Sequence, residues 1–279
     1  MASIAPQTTV GAVHLTVADL DRSTRWYAHA LGLDAARHDG VARLSVGGTE
    51  LLVLYEERGA QPVRGHTGLY HYALLVPERS DLARWLAHVA QERIPLTGLS
   101  DHFVSEAIYL RDPDGHGIEI YRDRPRERWE HVGNTIRMGV EPLDVEDLLS
   151  ASGGDAAVLP AGTRMGHVHL HVADLGAAAA FYRDALGFDE MARLGDQALF
   201  LAAGGYHHHI GTNTWAGHGA TPPPPGSAAL RHATIVLPGA AERDRVAGRA
   251  ADAGAEPIEV AGGMLVRDPS ENALLLAVA

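Results

Sequence analysis

Residues 11–34 read GAVHLTVADLDRSTRWYAHALGLD, and residues 166–189 repeat that stretch as GHVHLHVADLGAAAAFYRDALGFD. Each copy opens with alternating apolar and polar residues, which is the period of a half-buried β-strand. An aspartate then precedes a helix-like pattern and a glycine follows it, as helix caps require. The repeat therefore predicts a strand and a capped helix in each half of the chain. The predicted caps are Asp19 and Gly32 in the first copy and Asp174 and Gly187 in the second.

A second pair of strand–helix patterns lies further along each half. Residues 69–94 match residues 230–255, and short strands follow each helix. The chain thus contains four modules, numbered one to four in chain order, each with a strand, a helix and about three more strands (βαβββ). Strands outnumber helices and each module is mostly antiparallel, so the predicted class is α+β. We predict a first domain at residues 8–123, a linker at 124–163 and a second domain at 164–279.

The composition excludes several classes of partner. The net charge of -12 argues against nucleic acid, whose phosphates require a basic face. No apolar run reaches the roughly 18 residues that a bilayer span needs, so we expect no membrane segment. The N-terminus lacks a basic region followed by an apolar one, and cysteine is absent. We therefore expect a cytoplasmic protein without disulfides or thiolate metal sites.

Residues 101–121, DHFVSEAIYLRDPDGHGIEIY, predict a β-hairpin that carries polar side chains. Pro113 presets its own φ and Gly115 accepts a positive φ, so the Asp-Pro-Asp-Gly turn reverses the chain. Alternation along the returning strand places Glu119 on the opposite face from its two isoleucine neighbours. A carboxylate that faces a sheet-lined cavity is costly unless a positive partner meets it. We predict that this partner is a metal ion.

Six histidines fall in two predicted strands of module three. Those in the first strand occupy alternate positions and therefore share a face. In the second predicted strand, at residues 206–210, the first and third histidines share a face. This concentration favours a metal or catalytic site over six separately satisfied structural histidines. The six are His167, His169 and His171 in the first strand and His207, His208 and His209 in the second.

These residues resemble the vicinal oxygen chelate superfamily of glyoxalases, bleomycin resistance proteins and dioxygenases. The pattern from His102 through Tyr109 and the Asp-Pro-x-Gly turn to Glu119 is similar to the signature of catechol 2,3-dioxygenase-type extradiol enzymes. The resemblance implies that the βαβββ modules form two paired domains. It also implies that a non-haem iron site opens a catecholic ring with O2, giving a muconic-semialdehyde-type product.

In that superfamily, a histidine on the first strand of a module and a glutamate after the Asp-Pro turn bind the metal. Module one has Ala12 in place of its histidine, and module four has Leu275 in place of its glutamate. Modules two and three together supply two histidines and one carboxylate, a set suited to Fe(II), with Mn(II) as a substitute. The resemblance thus implies a site shared by modules two and three, with His232 of module four structural. The implied ligands are His71, Glu119 and His167.

The resemblance also implies roles for the residues around the metal. His207 aligns with the acid–base histidine, and His208 takes that role if the alignment slips by one residue. Tyr109 would hydrogen-bond a substrate oxygen, and His102 would lie over the substrate entrance. His169 could line the pocket or bond a backbone carbonyl. The residues assigned to substrate binding are His208, His209 and His169.

Two other functions stay open. A glyoxalase-like isomerase would use Zn(II) or Ni(II) with a fourth ligand from residues 207–209, but such sites usually add a carboxylate where this chain has imidazoles. A drug-binding resistance protein of the same fold would lack a tight metal site. The expected partners are O2 and a catecholic or hydroquinone substrate of unspecified identity. A homo-oligomer is compatible with the sequence but not required.

Overall fold

The computed structural model describes residues 3–279, and its first half contains two βαβββ modules. Module one comprises β1 (Thr9–Val17), α1 (Leu20–Leu31), β2 (Asp34–His38), β3 (Val41–Val46) and β4 (Thr49–Glu56). The short β5 (Gln61–Pro62) follows it. Module two comprises β6 (Gly68–Leu75), α2 (Arg79–Gln91), β7 (Leu96–Asp101), β8 (Ser105–Arg111) and β9 (Gly117–Asp123).

The connecting segment has structure of its own, and the second half repeats the module pattern. The connection contains a 3-10 turn (Arg126–Arg128), β10 (His131–Val132), β11 (Thr135–Ile136), β12 (Glu141–Pro142) and α3 (Val145–Ser150). Module three comprises β13 (Arg164–His171), α4 (Leu175–Ala179) continued by a π-helical turn (Ala180–Ala185), β14 (Asp189–Leu194), β15 (Ala198–Ala202) and β16 (Ile210–Asn213). After the short β17 (Ser227–Ala228), module four comprises β18 (Leu230–Leu237), α5 (Ala240–Asp252), β19 (Ile258–Val260), β20 (Gly263–Arg267) and β21 (Ala273–Val278). Among residues 3–279, no helix is both long enough and apolar enough to span a bilayer.

Two large sheets contain the module strands, and each sheet joins one module from either half. The first has the order β19-β20-β21-β18-β1-β4-β3-β2 and combines modules four and one. The second has the order β12-β7-β8-β9-β6-β13-β16-β15-β14 and combines modules two and three. The α+β class and the pairing of modules two and three are therefore confirmed. The domain boundaries at 8–123 and 164–279 stay a prediction. They divide the chain by sequence, whereas each hydrogen-bonded sheet combines strands from both ranges.

The helix caps are those that the repeat predicts. Asp19 and Asp174 each accept a hydrogen bond from the backbone N–H three residues later, at 2.8 and 2.7 Å. Gly32 and Gly187 adopt left-handed conformations, with φ of 74° and 92°. These contacts satisfy backbone groups that a helix end would otherwise leave unpaired. Each helix therefore begins and ends at defined residues after the first strand of its module.

A hydrophobic core runs between the helices and both sheets, and buried tyrosines tie it to the Asp-Pro turns. Tyr27 of module one donates a hydrogen bond to Asp112 of module two at 3.0 Å. Tyr182 of module three makes the equivalent bond to Asp268 of module four at 2.8 Å. Burial raises the pKa of both aspartates. These bonds link modules that contribute to different sheets.

Candidate metal centre

Three adjacent strands in the middle of the second sheet carry the predicted ligands. In this sheet β6 lies between β9 and β13. Ala73 of β6 pairs with Glu119 of β9 on one side and with His167 of β13 on the other. His71 precedes Ala73 by two positions, so it lies on the same face. The methyl group of Ala73 leaves room for the three larger side chains to converge above it.

The three side chains form a compact, buried group. One ligand atom from each of His71, Glu119 and His167 lies within 4.8 Å of the other two. Nε2 of His71 is 3.0 Å from Oε2 of Glu119, and Nε2 of His167 is 3.3 Å from the same oxygen. All three residues are at most 6% exposed. The chain thus brings together two imidazoles and one carboxylate that are far apart in sequence.

The charge state of this group suits a divalent cation. Burial alone raises the pKa of Glu119, but the adjacent imidazoles of His167 and His71 outweigh burial and hold its pKa well below the usual range. Burial lowers the pKa of His167 to about 4, although Glu119 acts in the opposite direction. An ionised carboxylate and a neutral imidazole are the forms in which these side chains bind metals.

Unpartnered nitrogen atoms also fit a metal ion. Although His71 Nε2 is close to Glu119, it lacks hydrogen-bond alignment with that oxygen. Within residues 3–279, four buried imidazole nitrogens have no hydrogen-bond partner: His232 Nε2 in the first sheet, and three at or beside the predicted ligands. Buried polar atoms without partners are rare in proteins, and His71 Nε2, which lies 3.0 Å from Glu119, is an atom that a bound metal ion would satisfy. The three atoms are His71 Nε2, His167 Nδ1 and His169 Nε2.

Tyr109 and His102 form a hydrogen-bonded pair beside the three predicted ligands. Tyr109 lies opposite Glu119 in the β8–β9 ladder, so both face the same side of the sheet. His102 Nδ1 lies 2.7 Å from the carbonyl oxygen of Gly139, which can only accept, so Nδ1 donates. His102 Nε2 is then an acceptor, 2.6 Å from the Tyr109 hydroxyl that donates to it. Burial raises the pKa of Tyr109 well above its usual value.

A cavity of about 700 Å³ opens over this group. This size lies within the range of small-molecule sites. Predicted site residues on its wall are His71, Glu119, Tyr109, His102, His169 and His208. Aromatic and apolar side chains that the sequence did not single out include Tyr70, Phe200, Trp215, Leu194, Met138 and Val140. The cavity wall therefore combines the predicted polar site residues, these aromatic and apolar side chains, and two arginines, Arg111 and Arg193.

The prediction that residues 206–210 form a strand is wrong before Ile210, where β16 begins. Gly204 and Gly205 both adopt positive φ, at 61° and 68°, and the chain reaches β16 through a loop. Because strand alternation does not apply to a loop, neighbouring histidines point in unexpected directions. His208 lines the cavity.

The other two histidines of this loop lie away from the cavity wall. His207 lies behind His208, is fully buried, and has its Nε2 2.8 Å from Oδ1 of Asp123. His209 lines a separate cavity of about 190 Å³, and its Nδ1 accepts a hydrogen bond from the Ala203 N–H at 3.1 Å. The structure thus brings His208, but neither His207 nor His209, to the wall of the cavity of about 700 Å³.

The connecting segment contributes to the site in a way that the sequence analysis missed. Trp129 packs at 5.3 Å from the ring of His207, and Gly139 anchors His102. A methyl group at Gly139 would lie 2.5 Å from the Phe103 ring, so glycine permits this close approach.

The sequence analysis also missed Asp123, the last residue of β9. It follows Glu119 by four positions on one strand, so alternation could have identified it on the same face.

The equivalent position in the first sheet has a different character. His232 stacks on His14 with ring centroids 3.9 Å apart. Burial lowers the pKa of both rings, to about 4 for His232 and about 3 for His14. Within residues 3–279, the group of potential metal ligands comprises His71, Glu119 and His167 and does not include His232.

Comparison with known proteins agrees with this fold. The family described as Glyoxalase/Bleomycin resistance protein/Dioxygenase superfamily matches residues 9–120, and Bleomycin resistance protein-like N-terminal matches residues 164–197. The chain belongs to this superfamily, the vicinal oxygen chelate proteins. Its relatives include the catechol-2,3-dioxygenase of Bacillus subtilis (strain 168), which is 43% identical over 286 residues, covering 100% of both chains. This similarity supports a dioxygenase.

Solved structures with low sequence identity share the fold. A candidate dioxygenase from Bacillus subtilis superposes with a TM-score of 0.68 at 16% identity, over 99% of this chain and 86% of that one. Glyoxalase I from Zea mays superposes with a TM-score of 0.60 at 16% identity, over 97% of this chain and 92% of that one. At such identities the superpositions support the arrangement of modules and carry no information about the reaction.

Proposed function

We propose that this protein is a non-haem Fe(II)-dependent extradiol dioxygenase that opens a catecholic ring next to its hydroxyl groups. The principal observation is the buried group of His71, Glu119 and His167, of which His71 and Glu119 line a cavity that also presents acid–base side chains. Two histidines and one carboxylate leave several coordination positions free on an octahedral ion. The catechol-2,3-dioxygenase relative supports this assignment.

When bound by these ligands, Fe(II) supplies the redox chemistry that couples oxidation of the ring to reduction of O2, so that both oxygen atoms enter the product. The side chains around the ion perform the binding and proton transfers. The Tyr109 hydroxyl donates to His102, which leaves its oxygen free to accept a hydrogen bond from a substrate hydroxyl. We assign the role of taking a proton from the substrate to His208 in place of His207, because His208 lines the cavity.

The remaining cavity walls orient the ring and exclude water. His169 is buried, with its ring centroid 5.2 Å from Tyr70 and 5.5 Å from Trp215. Burial holds the pKa of His169 well below its usual value, so it adds no positive charge to this wall. Aromatic and neutral side chains of this kind pack against an aromatic substrate.

Reconstitution with iron tests the proposal. Protein loaded anaerobically with Fe(II) should turn catechol and O2 into a yellow ring-opened product, and Mn(II) should be tested in parallel. Glu119→Ala and His167→Ala should each fail to retain iron. His232→Ala serves as the matched control, because this histidine lies in the other sheet, and it should retain iron and activity. Iron retained by Glu119→Ala and lost by His232→Ala would overturn the assignment of the site.

The two alternative functions predict different outcomes. Conversion of a glutathione hemithioacetal in the presence of Zn(II) or Ni(II), with no ring opening, would identify an isomerase. The described residues offer one carboxylate in the ligand group, which disfavours that outcome. Tight drug binding by a protein that retains no metal would identify a resistance protein. The substrate, the oligomeric state and the cytoplasmic location stay predictions.

A further inference from the structure

A chain of hydrogen bonds leads from the cavity into the protein through two adjacent histidines. His208 lines the cavity, and its Nδ1 lies 2.7 Å from Nδ1 of His207. Nε2 of His207 lies 2.8 Å from Oδ1 of Asp123. The order from the cavity inward is therefore His208, His207 and Asp123.

The donors and acceptors in this chain can be assigned from its buried end. An ionised carboxylate only accepts hydrogen bonds, so His207 Nε2 carries a proton and donates it to Asp123. In neutral His207, Nδ1 is then an acceptor, and the hydrogen bond of 2.7 Å requires a proton on His208 Nδ1. His208 Nε2 consequently has a free lone pair. Within residues 3–279, the one hydrogen bond of the His208 ring is made by Nδ1.

His207 is enclosed so completely that it cannot contact a substrate itself. It is 0% exposed, and its ring centroid lies 4.1 Å from Tyr206 and 5.3 Å from Trp129. The Tyr206 hydroxyl also donates to Asp123 Oδ1, at 3.3 Å. Packing therefore fixes the His207 ring, and Asp123 selects its tautomer. Because the His207 ring is fixed, its hydrogen bond to His208 fixes the orientation of the His208 ring.

We propose that Asp123 and His207 are positioning residues that set the tautomer and ring orientation of His208, so that Nε2 presents its lone pair to the substrate. This inference rests on the proposed dioxygenase function. The hydrogen bond between His208 Nδ1 and His207 Nδ1 holds the His208 ring in this orientation, and the hydrogen bond from His207 Nε2 to Asp123 holds the His207 ring in turn.

Metal-free protein labelled with ¹⁵N-histidine tests the tautomers directly. We expect the proton of His207 on Nε2 and that of His208 on Nδ1, with the His208 signals assigned by comparison with His208→Gln. In Asp123→Asn, the preference of both rings should weaken, because the amide can donate as well as accept. A wild-type spectrum with the His208 proton on Nε2 would overturn the inference, and that result does not depend on the folding of Asp123→Asn.

Kinetics of the Fe(II)-loaded protein provide the second test. Asp123→Asn should lower kcat on catechol by about 10–100-fold, as loss of an outer hydrogen-bond partner does, with KM and iron content unchanged. Anaerobic binding of 4-nitrocatechol should show less of its ionised absorption spectrum than in the wild type. Glu106→Gln is the matched control, because it neutralises a buried carboxylate of the same sheet that Arg79 holds at 2.8 Å. It should cost stability and leave kcat and the nitrocatechol spectrum unchanged.

The outcomes separate this inference from the proposed function. An active wild type with equally active Asp123→Asn overturns the positioning role and leaves the dioxygenase assignment standing. A wild type that opens no catecholic ring overturns the dioxygenase assignment, and the histidine tautomers then still decide whether Asp123 and His207 orient His208. Equal losses of kcat in Asp123→Asn and Glu106→Gln would show a general effect of stability and would also overturn the positioning role.

Discussion

Gly117 begins β9 and packs closely against Tyr70 and His71 of β6, so replacing it with alanine should disturb the candidate metal centre. A methyl group there would lie 2.0 Å from the carbonyl oxygen of Tyr70 and 3.0 Å from Cβ of His71. Both obstacles belong to the neighbouring strand, and the nearer one is backbone, so no side-chain rotation relieves the overlap. The two strands must separate, and His71 moves away from Glu119.

The cost follows from that separation. Overpacking of a core typically costs about 1–3 kcal/mol, and a backbone obstacle places Gly117→Ala at the upper end of that range. The displacement acts on the spacing of 3.0 Å between His71 and Glu119. A misplacement of about 1 Å in a catalytic group can cost roughly 100-fold in rate. We therefore expect Gly117→Ala to lose both stability and iron affinity.

Gly98→Ala is the matched comparison, because this glycine also lies in the second sheet and beside the cavity. Its added methyl group would lie 3.5 Å from the Tyr109 ring, an ordinary contact. Urea unfolding should give a change within about 0.5 kcal/mol for Gly98→Ala and a clear loss for Gly117→Ala. Iron content measured on both proteins completes the test. A Gly117→Ala protein with wild-type unfolding midpoint and full iron content would refute the reasoning.

Two further predictions concern the buried groups that hold the modules together. Tyr27→Phe should lower the free energy of unfolding by about 1.5–3 kcal/mol, because it removes a hydrogen bond to Asp112 and leaves the Tyr72 hydroxyl unpaired. Tyr182→Phe should lower it by less, since Asn272 still donates to Asp268. Denaturant unfolding measures both, and the reverse order would contradict this explanation. His14 and His232 have folded pKa values of about 3 and 4, below the unfolded 6.5, so the unfolded state takes up protons first and stability falls as pH drops below about 6.5. In the double variant His14→Gln/His232→Gln, the free energy of unfolding should fall less steeply with decreasing pH, by up to about 1.4 kcal/mol per pH unit for each ring removed. Solvent screening makes the actual difference smaller. Parallel unfolding curves for the two proteins between pH 6.5 and 4 would contradict it.

Features governed by local patterns were predictable from sequence. The helix caps and the hairpin turn depend on the conformational preferences of aspartate, proline and glycine, which act over a few residues. The ligand set of His71, Glu119 and His167 was implied by the resemblance to the vicinal oxygen chelate superfamily, whose metal-binding positions were compared with each module in turn. Strand alternation then fixed the face on which Glu119 lies.

Features that depend on loop conformation were not predictable. Two successive glycines with positive φ take residues 203–209 out of the strand, so alternation assigned the wrong directions to His207 and His209. The connecting segment has no hydrophobic period, yet Trp129 and Gly139 reach the site through packing and a single carbonyl oxygen. Such contacts join distant residues, and no pattern within the segment records them.

The pairing of modules across the halves has a consequence for biosynthesis. β1 hydrogen-bonds to β18, and β6 to β13. Strands synthesised early therefore cannot complete their pairing until the C-terminal half of the chain has been synthesised. While the ribosome is still producing module four, β1 has an open edge that can recruit strands of other chains. Closing such long loops is slow, so newly made chains should depend on chaperones until the C-terminal strands emerge. A cut between the halves would leave two fragments that each need the other to complete a sheet.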